Sequence, residues 1–238
     1  MNSSKRLFRF LCSYQLGGAG VFWIVMLIVN ALSSVLAFSI KSNVTMGPHI
    51  KSGQLLSFAG ANMLAIFIYF IVYGLEMYYE SFSLTSGFGV TRKNFYLNVI
   101  VNNIIMVLIF SVVQFIFLKI DNYAVSKLGF EPIVEFGLFS MNDSSLWIIS
   151  VLSFILLVFT SIMNLIGILQ YRFGYKFWIS FGIFGLVTQM LTNFIEILTN
   201  SFGTIIQTLS EGYLTAGITI IIIAYTIGYM LIRRANIK

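Results

Sequence analysis

Hydrophobic residues in this chain do not alternate with polar ones. They gather in long unbroken runs separated by short polar segments. A hydrocarbon core about 30 Å thick needs about 20 apolar residues in helical form. Six runs reach that length, at 17–40, 53–75, 97–118, 146–168, 177–195 and 213–232. Every Asp, Glu, Lys and Arg, the single His49 and both prolines, Pro48 and Pro132, fall outside these runs. A membrane β-barrel needs segments of about ten residues in strict alternation, and runs such as Leu146–Val158 or Ile218–Ile223 do not alternate. The pattern therefore predicts an all-α membrane protein: an amphipathic interfacial helix at 1–16, then a six-helix transmembrane domain at 17–238.

Composition agrees. Of 238 residues, 58% are hydrophobic and only 9% charged, where a soluble domain carries about 25% charged residues. The mean hydropathy is +0.93. A soluble enzyme and a disordered chain are both excluded.

The charges are sorted by side. With the N-terminus inside, the inner segments hold Lys5, Arg6, Arg9, Arg92, Lys93, Arg172, Lys176, Arg233, Arg234 and Lys238, against Glu76 and Glu80. The outer segments hold Lys41, Lys51, Lys119 and Lys127, against Asp121, Glu131, Glu135, Asp143, Glu196 and Glu211. Inside is then +8 and outside −2, which together give the net +6. Excess Lys and Arg mark the cytoplasmic side, so both termini are expected there, in a multi-pass protein of the cytoplasmic membrane. No cleavable leader is expected, because the first apolar run starts only at residue 17 and lacks a small-residue cleavage site. The +6 charge does not point to nucleic acid, which needs cations gathered on a solvated face.

Residues 3–16 carry the amphipathic signal. Leu7, Phe10, Leu11 and Tyr14 recur at helical spacing, and Lys5, Arg6, Arg9 and Ser13 lie largely on the other side. Such a helix places its cations among lipid headgroups. Lys5, Arg6, Leu7, Arg9 and Phe10 are its candidate contacts, with the membrane surface alone or with a cytoplasmic partner as well. At the other end of the chain, 196–212 is apolar but interrupted by Glu196, Asn200, Gly203, Gln207 and Glu211. A short helix or re-entrant turn at the outer face fits it.

The spans contain neutral polar residues. Asn62, Asn98, Asn102, Gln189 and Asn193 either hydrogen-bond between helices, at about 0.6 kcal/mol each on average, or line a polar translocation path. Ser57, Ala61 and Ala65, and Ala224 with Gly228, are small residues at four-residue spacing that permit close helix approach.

Several chemistries lack their residues. One Cys and one His exclude almost any protein-only zinc site, which needs three or four His, Cys or carboxylate ligands, so no metal is expected. No Gly-x-x-x-x-Gly-Lys-Ser/Thr, His-Glu-x-x-His or Gly-x-Ser-x-Gly run occurs. No ionisable residue lies mid-span to relay protons. Catalysis by this chain is not expected, and the energy for any transport must come from another chain.

The segment after the second run stands out. Two glycines punctuate it, Thr91 is placed to cap the next helix, and Arg92 and Lys93 sit in that helix's first turn, where cations oppose the dipole. Glu76 and Glu80, one helical turn apart, face these cations, a partner's cations or plain solvent. The stretch Gly89-Val90-Thr91-Arg92-Lys93-Asn94-Phe95 resembles the Gly-Val-(Ser/Thr)-Arg-Lys-x-Phe of the first cytoplasmic loop in bacterial ATP-binding-cassette (ABC) exporter permeases of the type 2 class, among them exporters of phenol-soluble modulins, bacitracin and lantibiotics. The six-span layout, with a leading amphipathic helix and a re-entrant element before the last span, resembles that class too.

The resemblance implies a permease subunit that moves an amphipathic peptide or lipid-like cargo outward. Its coupling helix would dock on a separate cytoplasmic ABC ATPase, with ATP and magnesium held on that partner and no cofactor on this chain. Residues Glu80, Ser81, Phe82, Leu84, Thr85, Gly87, Phe88, Gly89, Val90, Thr91, Arg92 and Lys93 would form the contact, and a second permease chain, identical or sister, would complete the transporter. The alternatives are a membrane sensor or immunity protein against a peptide toxin, and a substrate-binding membrane subunit of a vitamin importer.

Overall fold

A computed structural model describes residues 3–43, 55–87, 89–190 and 212–233. Among them the chain is helical almost throughout: α1 (Ser3–Asn43), α2 (Phe58–Glu76), a π-helical turn (Met77–Ser81), α3 (Phe82–Gly87), α4 (Arg92–Lys127), α5 (Ser145–Phe173), α6 (Tyr175–Met190) and α7 (Tyr213–Arg233). Two-residue strands β1 (Leu55–Leu56) and β2 (Glu131–Pro132) pair in parallel. Five helices are long and apolar enough to cross a membrane. They match five of the six expected runs. α6 follows the remaining one, 177–195, as far as Met190, over 16 residues. The expected re-entrant element at 196–212 lies, apart from Gly212, outside the described residues, as do Asn193 and Phe88 and the side chain of Gln189.

The helices start and stop where elementary backbone chemistry directs. Thr91 caps α4, its Oγ1 accepting from the Asn94 N–H at 3.3 Å. Ser144 caps α5 in the same way, accepting from the Trp147 N–H at 3.3 Å. α4 ends at Gly129, whose φ of +73° suits a residue without Cβ. The Gly129 and Phe130 N–H groups return to the carbonyls of Ser126 and Val125, satisfying two acceptors the helix leaves open. A single residue, Gly174 at φ +61°, separates α5 from α6.

α1 runs unbroken through the expected junction at residues 16 and 17. At 1.5 Å per residue its 41 residues extend about 60 Å, twice the hydrocarbon thickness. The face it buries also differs from expectation. Leu7, Leu11, Gln15, Ala19 and Met26 are buried, whereas Phe10 and Tyr14 are 44% and 48% exposed. The buried stripe advances by four residues at a time from Leu7 to Ala19 and by seven, two helical turns, to Met26. The two rings therefore fall on the flank shared by Arg6, Arg9 and Ser13.

The residues form two compact units. One takes Met1–Tyr69 and Ile100–Leu157, the other Phe70–Val99 and Val158–Lys238. In the first, Phe22 and Trp23 of α1 meet Tyr69 of α2 and Phe110 and Phe117 of α4, with ring centroids 4.7–5.5 Å apart. Asn30 Nδ2 donates to Asn62 Oδ1 at 3.1 Å, joining α1 to α2. The loop 128–144 folds back onto its own unit. Phe139 and Met141 join Ala59, Leu118, Ile148, Val151 and Leu152 in one apolar cluster. Lys119 Nζ donates to the Met141 carbonyl at 3.1 Å, and Ser57 Oγ donates to Asp121 Oδ2 at 2.8 Å.

In the second unit, helix approach is set by glycines. A Cβ built on Gly167 of α5 would stand 2.2 Å from the Gly74 carbonyl oxygen of α2, and one built on Gly74 would stand 3.1 Å from the Met163 backbone. A Cβ on Gly228 of α7 would meet the Tyr96 hydroxyl at 2.4 Å. Gly228 and the buried Ala224 thus serve close packing within the chain. Of the other small-residue set, Ser57 serves as a cap, accepting from the Gly60 N–H at 2.9 Å, and Ala61 is exposed.

Gly167→Ala therefore forces α2 and α5 apart and costs about 1–3 kcal/mol. Gly17→Ala, with nothing within 4 Å of the new methyl, leaves stability level or raises it. Thermal unfolding of the two purified variants in one detergent checks the contrast. Equal melting temperatures would remove the steric account.

Candidate functional site

The connector between α2 and α4 is built from its backbone outward. α2 does not simply stop. Its last turn opens into a π-helical turn over Met77–Ser81, closed by the Phe82 N–H donating to the Met77 carbonyl. Such turns carry one residue more than an α-turn and occur often at functional positions. α3 follows directly. Thr85 Oγ1 donates to the Ser81 carbonyl at 2.7 Å, a back-bond that takes up an acceptor near the helix end. Gly89 then turns the chain at φ +72°, and the Thr91 cap starts α4.

One side of this connector is locked into its own unit. Met77, Tyr78, Ser81, Phe82 and Thr85 are buried. The Phe82 ring stands edge-on to Phe95 of α4 at 5.0 Å and to Tyr171 of α5 at 5.2 Å. Tyr78 packs edge-on to Phe95 at 6.1 Å, and its hydroxyl donates to Asn164 Oδ1 of α5. Edge-to-face pairs of this kind are worth about 0.5–1.5 kcal/mol beyond the area they bury.

The other side is open. Tyr79 is 66% and Leu84 55% exposed, and Glu80, Gly89, Thr91 and Lys93 are exposed with them. Val90 is half-buried. The twelve residues expected to form one contact thus divide. Ser81, Phe82 and Thr85 support the connector from within, and Glu80, Leu84, Gly89, Thr91 and Lys93 face outward. Tyr79 is not among the expected residues, yet it is the most exposed large hydrophobic side chain among the described residues of the connector. The i, i+5 spacing of Tyr79 and Leu84 suits a helix containing one extra residue, which no simple periodicity signals.

Arg92 has a partner not expected from the sequence. Its Nη1 donates to the carbonyl of Arg233, at the end of α7, at 3.1 Å. A cation that opposes the dipole of its own helix start is thereby set against the negative end of another helix. One turn along α4, the Tyr96 hydroxyl donates to the Tyr225 carbonyl at 2.8 Å. α4 is thus tied to α7 at two levels.

Of the expected polar path residues, Asn62, Asn98 and Asn102 are buried. In the first unit Asn62 accepts from Asn30, and Asn102 is wholly buried. In the second, Asn98 Nδ2 donates to the Asn94 carbonyl of its own helix at 2.6 Å. Gln114 Nε2 donates across to the Ala59 carbonyl of α2 at 2.7 Å. Among the described residues no group of three or more His, Cys, Asp or Glu is arranged to hold a metal ion.

Comparison with family models, with curated proteins and with solved structures finds no match to this chain.

Gly89→Ala meets no side chain, since nothing lies within 4 Å of the new methyl. Its cost, about 1–2 kcal/mol, is that of a left-handed backbone alone, and Gly89→Asn should recover part of it. Tyr78→Phe leaves a buried amide oxygen without its donor and costs about 1–3 kcal/mol. Melting temperatures of the three variants check the order, and Gly89→Asn no better than Gly89→Ala would overturn the backbone account.

Proposed function

We propose that this chain is the membrane permease subunit of an ATP-driven ABC exporter. In this reading its six spans place both termini in the cytoplasm, with the run 177–195 as the fifth span. Two permease chains, identical or sister, pair with two cytoplasmic ATPase subunits, and the cargo is an amphipathic peptide or lipid-like molecule. ATP and magnesium belong to the ATPase.

One observation carries the proposal. The connector exposes Tyr79, Glu80 and Leu84 on one side while its other side is fixed to α4 and α5. Exposed apolar side chains beside charge, on the side rich in Lys and Arg, suit a docking surface for a soluble protein. The fixed side suits transmission. A push on α3 reaches α2 through the π-turn, α5 through Phe82 with Tyr171 and Tyr78 with Asn164, and α7 through Arg92. ATP-driven closure of the partner would move these helices together, and the absence of a catalytic constellation in the sequence leaves the chemistry to the partner.

The structure also selects the variant for the test. Arg92→Glu breaks the bond to α7 along with any docking, so its loss of function is ambiguous. Leu84→Asp acts on the exposed side, where substitutions shift stability by only about 0.5 kcal/mol. Mild-detergent purification of the tagged chain should bring down a stoichiometric ATPase bearing a Walker motif. Leu84→Asp should lose it with an unchanged melting temperature. A clean chain, under conditions that preserve other membrane complexes, would overturn the permease reading and turn attention to a sensor or immunity role. An ATPase retained by both Leu84→Asp and Tyr79→Asp would remove the connector from the contact.

A further inference from the structure

The exposed flank of α1 holds a feature that the coupling reading does not use. Arg6, Arg9, Phe10, Ser13 and Tyr14 line an open groove of about 500 Å³. They lie at i, i+3, i+4, i+7 and i+8, so one helix face presents them all. The rings of Phe10 and Tyr14 lie nearly parallel, 14° apart, with centroids at 6.3 Å, and form an apolar wall. The two guanidinium groups and the Ser13 hydroxyl stand beside it, and all three side chains are exposed. Among the described residues no hydrogen bond or ion pair engages Arg6, Arg9 or Ser13. The opposite stripe, Leu7, Leu11 and Gln15, is buried, so the groove faces away from the protein.

Depth selects the occupant. The apolar run begins at residue 17. Along α1, Tyr14 and Ser13 precede it by about 4–6 Å and Arg9 by about 12 Å. The polar layer on each side of the hydrocarbon core is about 5–7 Å deep. Ser13 and Tyr14 therefore lie at headgroup level, and the long Arg9 and Arg6 side chains span the remaining distance. A face with two cations, a hydroxyl donor and an aromatic wall at that depth complements an anion with an apolar tail. Arginine matches the paired oxygens of a phosphate, and aromatic rings settle at the membrane interface.

We infer that Arg6, Arg9, Ser13, Phe10 and Tyr14 bind the phosphate headgroup of an anionic phospholipid. The guanidinium groups and the Ser13 hydroxyl donate to the phosphate oxygens, and the two rings cover the glycerol end of the acyl chains. The site rests on α1 crossing the bilayer and not on the ATPase partnership, so each reading can fail without the other.

The test is native mass spectrometry of the purified full chain in a neutral detergent. It is titrated with phosphatidylglycerol, or with phosphatidylcholine of the same acyl chains. A cation at a lipid surface contributes about a five-fold gain in binding, so the pair contributes about thirty-fold. The double variant Arg6→Gln/Arg9→Gln should lose phosphatidylglycerol affinity by about that factor and keep its phosphatidylcholine adducts, and Arg6→Lys/Arg9→Lys should keep most of the preference. Equal binding of the two lipids by the wild type, or an unchanged preference in the glutamine variant, would overturn the inference. So would inorganic phosphate occupying the site and displacing the lipid at equal concentration, which would assign the groove to soluble anions. A glutamine variant that keeps its lipid adducts but loses a co-purifying cytoplasmic protein would assign the face to that protein instead.

Discussion

A hydrocarbon solvent accepts no hydrogen bonds, and the construction of this chain follows from that. Every backbone N–H and C=O within a span must be satisfied by the span itself. That demand makes the crossings helical and confines the turns that break the ladder to the ends. Several polar side chains are satisfied within their own helix as well. Ser34, Ser111 and Ser150 return their hydroxyls to carbonyls four residues back, and Asn98 does so with its amide. Where such a group reaches another helix it becomes a tie, as with Asn30 and Asn62, Gln114 and Ala59, and Tyr96 and Tyr225. The first kind of bond satisfies a group within its own helix, and the second fixes which helices lie side by side.

Attraction between helices in lipid cannot come from escape out of water, so contact distance matters more than apolar area. The second unit shows this at Gly74 and Gly167, where the two backbones approach until no methyl fits between them. Dispersion forces fall off so steeply that a gap of one methyl removes much of the gain. The connector inherits its rigidity from this. Tyr78 and Phe82 rest on helices that cannot slide apart without losing the close approach.

Much of this was legible in the sequence, for identifiable reasons. Run length alone located five of the observed helices to within a few residues, except where helices continue beyond the apolar runs, as α1 does toward Ser3 and α4 toward Lys127. The cap at Thr91 and the turn at Gly89 were readable because capping depends on neighbours in the chain. The Gly74–Gly167 crossing was not, since the two residues are far apart in sequence and each lies in an ordinary apolar run. The bond from Arg92 to Arg233 was equally hidden, because its acceptor is a backbone carbonyl that every residue possesses. Which residues of 3–16 the protein itself would cover was hidden for a different reason. The phase of the whole of α1 is fixed by the longer stripe through Leu11, Gln15, Ala19 and Met26. The pattern of the candidate docking surface was half-visible, with Leu84 evident and Tyr79 displaced by the extra residue of the π-turn.

That extra residue acts as a phase shifter. In a plain α-helix each residue advances the helix by about 100°. Closing Met77–Ser81 to ordinary α-geometry with every residue kept would rotate everything after it by that amount. Phe82 would leave the space between Phe95 and Tyr171, and the outward side of α3 would present different side chains. The π-turn is a one-notch dial, and its present setting decides which residues of the connector face outward.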